Sequence, residues 1–443
     1  MAMSLATPES VQRLQAALHA KAKGEPDYRF YMLYDKVHRR DVLAHAYDCC
    51  RTNRGAAGVD GRTFEDIEAY GVERWLGELT EDLKKKTYRP SAVRRVWIPK
   101  PDGRKRPLGI PTIRDRVAQM AAVLVLAPIF EADLAAEQYA YRPGRGALDA
   151  VQHVHRLLMS GHTEVVDADL SGYFDSIPHA ELLKSAARRV VDGAMMRLIK
   201  MWLVMPVEEA DDRGRKQRTT RAKDAGRGTP QGAPISPWLA NIYIRRFVAG
   251  WRALGHEARL GARIVNYADD FVICCRGTGA ESLAVMRRMM ARLKLTVNEA
   301  KTRLRHAPDE PFDFLGYTFG RNWSSKRGRA YIGTRPSKKR LARLVSSLRS
   351  LTERESSRPT VPEKIGELNR LLVGWANYFS LGSVSRAYRA MDEQARRRLR
   401  QWLRAKYPHQ GYGRARYSDV YLHEVLGLVR LQGRPRNFPW VTA

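Results

Sequence analysis

Apolar positions along the chain follow two rhythms. Val93, Val96 and Ile98 alternate with polar residues before Pro101-Asp102-Gly103, which predicts a β-hairpin over 93–111 with cations near its tip. The run Glu164-Val165-Val166-Asp167-Ala168-Asp169-Leu170 predicts a strand that ends in carboxylates. Two further runs, Arg263-Ile264-Val265 and Phe271-Val272-Ile273-Cys274, flank Tyr267-Ala268-Asp269-Asp270 and predict a second hairpin with two acids at its turn. Short strands are expected at 312–319 and 329–333.

The helical rhythm fills most of the rest. Residues 1–30 read as one helix and a loose arm. Residues 31–90 read as helices broken at Asn53-Arg54-Gly55-Ala56-Ala57-Gly58, and 112–160 as helices broken at Tyr141-Arg142-Pro143-Gly144. Helices run on to about 205, and Glu208 to Arg227 reads as a hairpin or mobile loop. Gly228 to Gly232 is a rigid turn, with Ser236 as N-cap and Pro237 in first position of the helix that follows. Residues 279–295 are amphipathic. From Ser337 onward the pattern is all helical, with Ile365, Leu368, Leu371, Leu372, Trp375 and Tyr378 at spacings of three and four. A boundary is expected near 321–337.

Charge adds a partner class. The 443 residues are 44% hydrophobic and carry a net charge of +31. Residues 321–443 hold 27 Lys+Arg and 8 Asp+Glu, so +19 of that excess lies in the last quarter or so. Such an excess points to a polyanion, because Lys and Arg gain affinity by releasing phosphate counterions; a merely soluble basic protein is the bland alternative. The four cysteines form two adjacent pairs, Cys49-Cys50 and Cys274-Cys275, without the spacing of a zinc site or an easy disulfide. No apolar run reaches the roughly 18 residues of a membrane helix. The expectation is a soluble bacterial cytoplasmic protein that does not engage a membrane.

The acids carry the candidate chemistry. In-line attack of a 3′-hydroxyl on a triphosphate uses two Mg²⁺ ions about 3.5–4 Å apart, and Mg²⁺ favours carboxylate oxygens. Asp169, Asp269 and Asp270 end apolar strands and fit that need. Asp167 and Asp175 are rivals to Asp169, and a solvated turn is the alternative for the pair.

Motif order resolves this. Tyr267-Ala268-Asp269-Asp270 resembles the YADD box, and Asp169-Leu170-Ser171-Gly172-Tyr173-Phe174-Asp175 the D-I/L-x-x-x-F-D box, of the reverse transcriptases encoded by bacterial group II introns. The resemblance spans roughly residues 35–440. It implies an α+β, right-hand polymerase fold with an antiparallel palm sheet and a helical thumb and maturase domain. It implies two Mg²⁺ ions on Asp169, Leu170, Asp269 and Asp270, with the three aspartates catalytic. Phe174 resembles the steric gate that selects deoxynucleotides. Residues Ile98 to Pro111 resemble the fingers hairpin, where Lys100 and Arg106 would meet the incoming triphosphate. Gly228-Thr229-Pro230-Gln231-Gly232 is similar to the P-Q-G-x-x-x-S-P box, with Gln231 as its polar contact. Asn298-Glu299-Ala300-Lys301-Thr302 resembles N-x-x-K-S/T, with Lys301 near the triphosphate. Phe312 to Tyr317 looks like the primer-grip strand.

Nucleic-acid contacts are implied at Asn53 and Arg54 of the N-terminal template loop, at Arg142 and Arg145 of an R-P-G-R turn, and at Arg396, Arg397 and Arg400 on a basic helix. Gly374-Trp375-Ala376-Asn377-Tyr378-Phe379 resembles the maturase signature G-W-x-x-Y-F, and its Trp375 and Phe379 read as packing. The implied domains are an arm (1–35), fingers with the template loop (36–160), palm with finger insertions (161–320), and basic thumb with maturase domain X (321–443). The implied partners are an RNA template with DNA primer, dNTPs, a structured intron-like RNA and target DNA. Neither a CxxC cysteine pair nor an H-N-H cluster precedes Ala443, so second-strand DNA cleavage is not expected. A domesticated enzyme of repair or phage defence, a non-polymerising splicing cofactor and a generic basic scaffold are the rival readings.

Overall fold

The computed structural model describes residues 5–99, 103, 105–211, 215–324, 328–353, 359–407 and 416–434; Lys100 and the tip Pro101-Asp102 lie outside them. The described strands are β1 Val93–Pro99, β2 Lys105–Ile110, β3 Glu164–Ala168, β4 Val207–Ala210, β5 Lys216–Thr219, β6 Ala262–Tyr267, β7 Asp270–Cys275, β8 Arg303–His306, β9 Phe312–Phe314, β10 Tyr317–Ser324 and β11 Arg329–Pro336. They form three sheets, ordered β2-β1-β4-β5, β6-β7-β3-β8 and β11-β10-β9. The architecture is α+β, as expected.

The sheet β6-β7-β3-β8 is antiparallel throughout and buried on both faces. Val166, Ala168, Phe271, Ile273 and Cys275 face one core, built with the N-terminal and central helices. Val165, Val265, Val272 and Cys274 face a second core shared with the Ala147–Met159 helix, β9 and β10. Two-sided burial explains why these strands read as continuous apolar runs. It also sends Cys274 and Cys275 to opposite faces, and all four cysteines are free. A third core joins the helices Lys338–Leu351, Val361–Tyr378 and Ser385–Lys406.

At the centre of the first core is the Ile113–Glu131 helix, apolar at every position from Met120 to Phe130, with Val117, Ala121, Val125 and Leu126 fully buried. Pro128 within it cannot donate to the carbonyl of Leu124. Gln15 supplies that donor through Nε2 at 3.0 Å, and the His19 ring meets the Pro128 carbonyl at 3.0 Å. The helix expected within residues 1–30 is Glu9–Gly24, docked on this core with Val11, Leu18 and Ala22 buried.

One local expectation is met and one changes. β4 and β5 pair antiparallel, the hairpin of the two readings of 208–227, and β4 pairs parallel to β1, extending the first hairpin into a four-stranded sheet. Ser236 is the first helical residue rather than the N-cap, and its hydroxyl donates back to the Pro230 carbonyl at 2.8 Å. The glycine-rich turn thus competes successfully for that hydroxyl.

His155 joins two layers. It is buried on the Ala147–Met159 helix, its Nδ1 lies 3.0 Å from Thr334 Oγ1 of β11, and burial lowers its pKa to about 4. The unfolded chain binds this proton near pH 6.5, so His155 favours folding fully above that pH and opposes it as pH falls toward 4. A contribution on the order of 3 kcal/mol should be lost across that window. Denaturant unfolding at pH 7 and pH 4.5 should show a smaller acid loss for His155→Gln than for wild type; equal losses would refute the assignment.

Candidate active site

Register places the acids. β3 pairs with β7 so that Ala168 is opposite Phe271, and one step further brings Asp169 level with Asp270. Both lie on the sheet face of Val165, Val272 and Cys274. Like charges directly opposite on neighbouring strands are destabilising, so this placement makes sense for a pair that meets a cation.

The turn between β6 and β7 consists of Ala268 and Asp269, since Tyr267 pairs with Asp270. Ala268 adopts φ +58°, a strained value for a residue with a Cβ. Asn266, fully enclosed beneath it, compensates: its Nδ2 donates to the Ala268 carbonyl at 2.8 Å. Asn266 is also fixed through its own backbone, which donates to Glu137 and accepts from Tyr139.

Asp169 is held by the segment 298–302. Its carbonyl accepts from the Asn298 N–H at 2.8 Å, and its Oδ2 accepts from Asn298 Nδ2 at 2.9 Å and Lys301 Nζ at 3.2 Å. Lys301, expected at the triphosphate, thus sits on the carboxylate itself. Leu170 bridges Val297 in the pairing that turns its own N–H and carbonyl away from that partner, leaving the carbonyl directed elsewhere.

Asp270 faces the water of a cleft while protein crowds its other sides. That desolvation, with repulsion from Asp269, Asp169 and Asp167, lifts its pKa to about 6. Asp167 is lifted to about 6 by burial and by Asp313 and Asp169, against the pull of Arg305. Among the described residues no three His, Cys, Asp or Glu side chains form a ready-made metal cage. Mg²⁺ typically takes one or two carboxylates and completes its shell with water and substrate phosphates. The donor set fits that mode: opposed carboxylates, a neighbouring third, and a free-pointing carbonyl.

The cleft measures about 750 Å³, and its walls come from distant parts of the chain. Arg106 and Leu108 enter from β2, Phe174 from a short helix that starts after left-handed Gly172, and Asp269 and Asp270 from the sheet. Gln231 ties these walls together. Its carbonyl accepts from the Gly109 N–H at 2.6 Å, its Nε2 donates to Asp175 at 2.9 Å, and its Oε1 accepts from Arg106 Nε at 3.3 Å. Gly232 has φ +107°, and a Cβ there would fall 2.4 Å from the Gly109 carbonyl, so the turn lies flat on β2 only with glycine. The structure also brings in Tyr141, Arg340 and Tyr378, none of which was expected at the site. Arg340 follows Ser337, whose side chain caps the Lys338–Leu351 helix.

Several residues expected to contact nucleic acid have partners within the protein. The Arg142 side chain is 5% exposed, paired with Glu131 at 2.6 Å and donating to the carbonyls of Ala135 and Gln138. It holds its turn from within. Arg396 and Arg400 both pair with Asp419 and fasten the C-terminal segment, and Arg400 also donates to the Tyr417 carbonyl. Arg397 donates to Gln394 on its own helix and is exposed. Arg145 is exposed and rests over the Tyr139 ring. Asn53 caps its helix by donating to the Cys49 carbonyl, and Arg54 beside it is exposed. The following loop is pinned by Arg94 on the Ala57 carbonyl and Arg116 on the Ala56 carbonyl. Lys100 lies outside the described residues.

Comparison with known proteins identifies the family. The family model for reverse transcriptase (RNA-dependent DNA polymerase) matches residues 98–319, and that for the group II intron maturase-specific domain matches residues 341–420. The chain belongs to the group II intron reverse transcriptase/maturase family. It is 31% identical over 367 residues to protein YkfC of Escherichia coli, covering 74% of this chain and 93% of that protein. It is 27% identical over 353 residues to the group II intron-encoded protein LtrA of Lactococcus lactis subsp. cremoris, covering 66% of this chain and 57% of that protein. A solved partial Cas6-RT-Cas1–Cas2 complex aligns with a TM-score of 0.34 at 21% identity, over 58% of this chain and 42% of that one, too little to support an argument. No described helix of this reverse transcriptase is long and apolar enough to cross a membrane.

Two substitutions test the geometry. Asn266→Ala should relax the turn and slow nucleotide addition roughly ten- to a hundredfold, the scale of a misplaced reacting group, with RNA affinity unchanged; a wild-type rate would remove its positioning role. Phe174→Ala should admit ribonucleotides, read as a fall in the dNTP-over-rNTP preference in single-nucleotide extension. An unchanged preference would refute the gate.

Proposed function

We propose that this reverse transcriptase copies RNA into DNA by two-metal nucleotidyl transfer from a dNTP to a primer 3′-hydroxyl, with Asp169, the Leu170 carbonyl, Asp269 and Asp270 holding two Mg²⁺ ions. The observation that carries the reading is the register that brings Asp169 level with Asp270 beside an open cleft walled by Phe174 and Arg106. When bound, the two ions activate the attacking hydroxyl and neutralise charge on the leaving oxygen. The protein's own groups do the rest. Arg106, oriented by Gln231, meets the triphosphate, and Phe174 closes the space where a 2′-hydroxyl would sit. Lys301 shares Asp169 and lies where it can reach developing phosphate charge. Arg340 and Tyr378 bring the C-terminal helices to the primer side of the cleft.

The second part of the proposal is a maturase role in splicing and retrohoming, with intron RNA held by the C-terminal helices. It is supported by the maturase-specific match and by the +19 charge of residues 321–443. Arg397 and the exposed loop at Asn53 and Arg54 are the contacts we assign to RNA and template. The division into arm (1–35), fingers (36–160), palm (161–320) and thumb with maturase domain (321–443) is part of the same reading, and the helices from Lys338 on share a core of their own. Target DNA is the implied acceptor. A splicing cofactor without polymerase activity would have no use for the opposed aspartates.

Primer extension on an RNA template with Mg²⁺ and dNTPs tests this directly. Asp169→Ala and Asp269→Ala should each reduce synthesis to background while changing RNA affinity by less than about twofold, because that affinity is spread over many cations. Normal extension by either variant would sink the assignment.

A further inference from the structure

A second cavity, of about 580 Å³, lies behind the first. β2 separates the two: Arg106 and Leu108 line the catalytic cleft, whereas Pro107 and Gly109 line the cavity behind. The floor is apolar, from Leu203 and Met205, and the rim is basic. Nothing in the proposed polymerase chemistry uses it.

Its polar groups are arranged for an anion with a flat ring. Trp97 on β1 is 44% exposed, and its indole N–H donates to Glu209, which fixes the ring plane. Arg95 lies two residues earlier on the same strand face, its guanidinium carbon 5.8 Å from the indole centroid. Its Nε is buried without a hydrogen-bond partner. Arg221 and Arg227, both exposed, complete the rim. Neighbouring Lys216 and Arg218 pair with Glu208, whereas Arg221 and Arg227 make no ion pair among the described residues. The two acids of the cavity are engaged, Glu209 by Trp97 and Asp175 by Gln231. Three guanidiniums therefore face the space against two carboxylates, each held by a neutral donor, which leaves the lining net positive.

We propose that this cavity is a second nucleotide-binding site, taking a base against Trp97 and its phosphate on Arg95, Arg221 and Arg227. Aromatic stacking with a basic rim suits any base, because every base has a π-face. The volume falls within the range of small-ligand pockets. The nucleotide can come from an unpaired strand or from the free pool, and the chemistry of recognition is the same.

Photo-cross-linking separates the sources without requiring polymerisation. The full-length protein would be irradiated with an oligouridylate containing 4-thiouridine and, separately, with 4-thiouridine monophosphate, and the adducts mapped by mass spectrometry. An adduct at Trp97 or the adjoining rim is expected. Labelling by the oligonucleotide alone would identify a strand, and labelling by both would identify a site open to free nucleotide. Arg221→Ala/Arg227→Ala, whose side chains are at the surface, should weaken labelling of the cavity roughly fivefold or more, as should Trp97→Leu, the low end of what one stacked base contributes. Adducts only elsewhere on wild-type protein, or cavity labelling unchanged in the double variant, would overturn the proposal.

Discussion

Two like charges brought level at the end of an antiparallel sheet govern this molecule. Burial raises the pKa of Asp270, and repulsion from Asp269 and then from Asp169 adds to the cost. The sheet tolerates it because burial on both faces stabilises the strands behind, at roughly 25 cal/mol per Å² of apolar surface removed from water. Everything around the pair serves to hold the acids still. Asn298 and Lys301 brace Asp169, Asn266 braces the opposite turn, and Gln231 fastens the finger sheet to the wall of the cleft.

Much of the site was legible in the sequence, because its chemistry needs particular residue types next to particular turns. The strands, the acids at their ends, the basic hairpin and the position of Phe174 all follow from local pattern and motif order. The supporting polar groups were not legible. Asn266 is one polar residue in an apolar strand, and its value depends on a left-handed alanine that no pattern announces. Asn298 stood in a recognised motif, yet Lys301 drew the attention because its charge suggested a ligand. Tyr141, Arg340 and Tyr378 reach the cleft only through long-range packing.

Cation clusters were the least readable feature. A run such as Arg396-Arg397-Arg398 suggests a phosphate track, but two of its members and Arg400 are spent inside the protein. Arg398 donates to Thr352 and to the Arg349 carbonyl, closing the end of the Lys338–Leu351 helix. Arg142 is spent similarly. Charge counts locate the basic region without showing which cations remain outward, since that depends on carbonyls and acids supplied by other segments.

The two-sided burial of the central sheet has a consequence for how the chain finds its structure. Alternation cannot select a register here, because Phe271, Val272, Ile273, Cys274 and Cys275 suit either face. A slip of one residue would still yield a dry, compact sheet, with Asp270 no longer level with Asp169. The Asn266-braced turn is the local element that distinguishes the two arrangements. Weakening it would create a population of well-packed, inert molecules alongside active ones, so the active fraction of a preparation would report on folding fidelity as much as on chemistry.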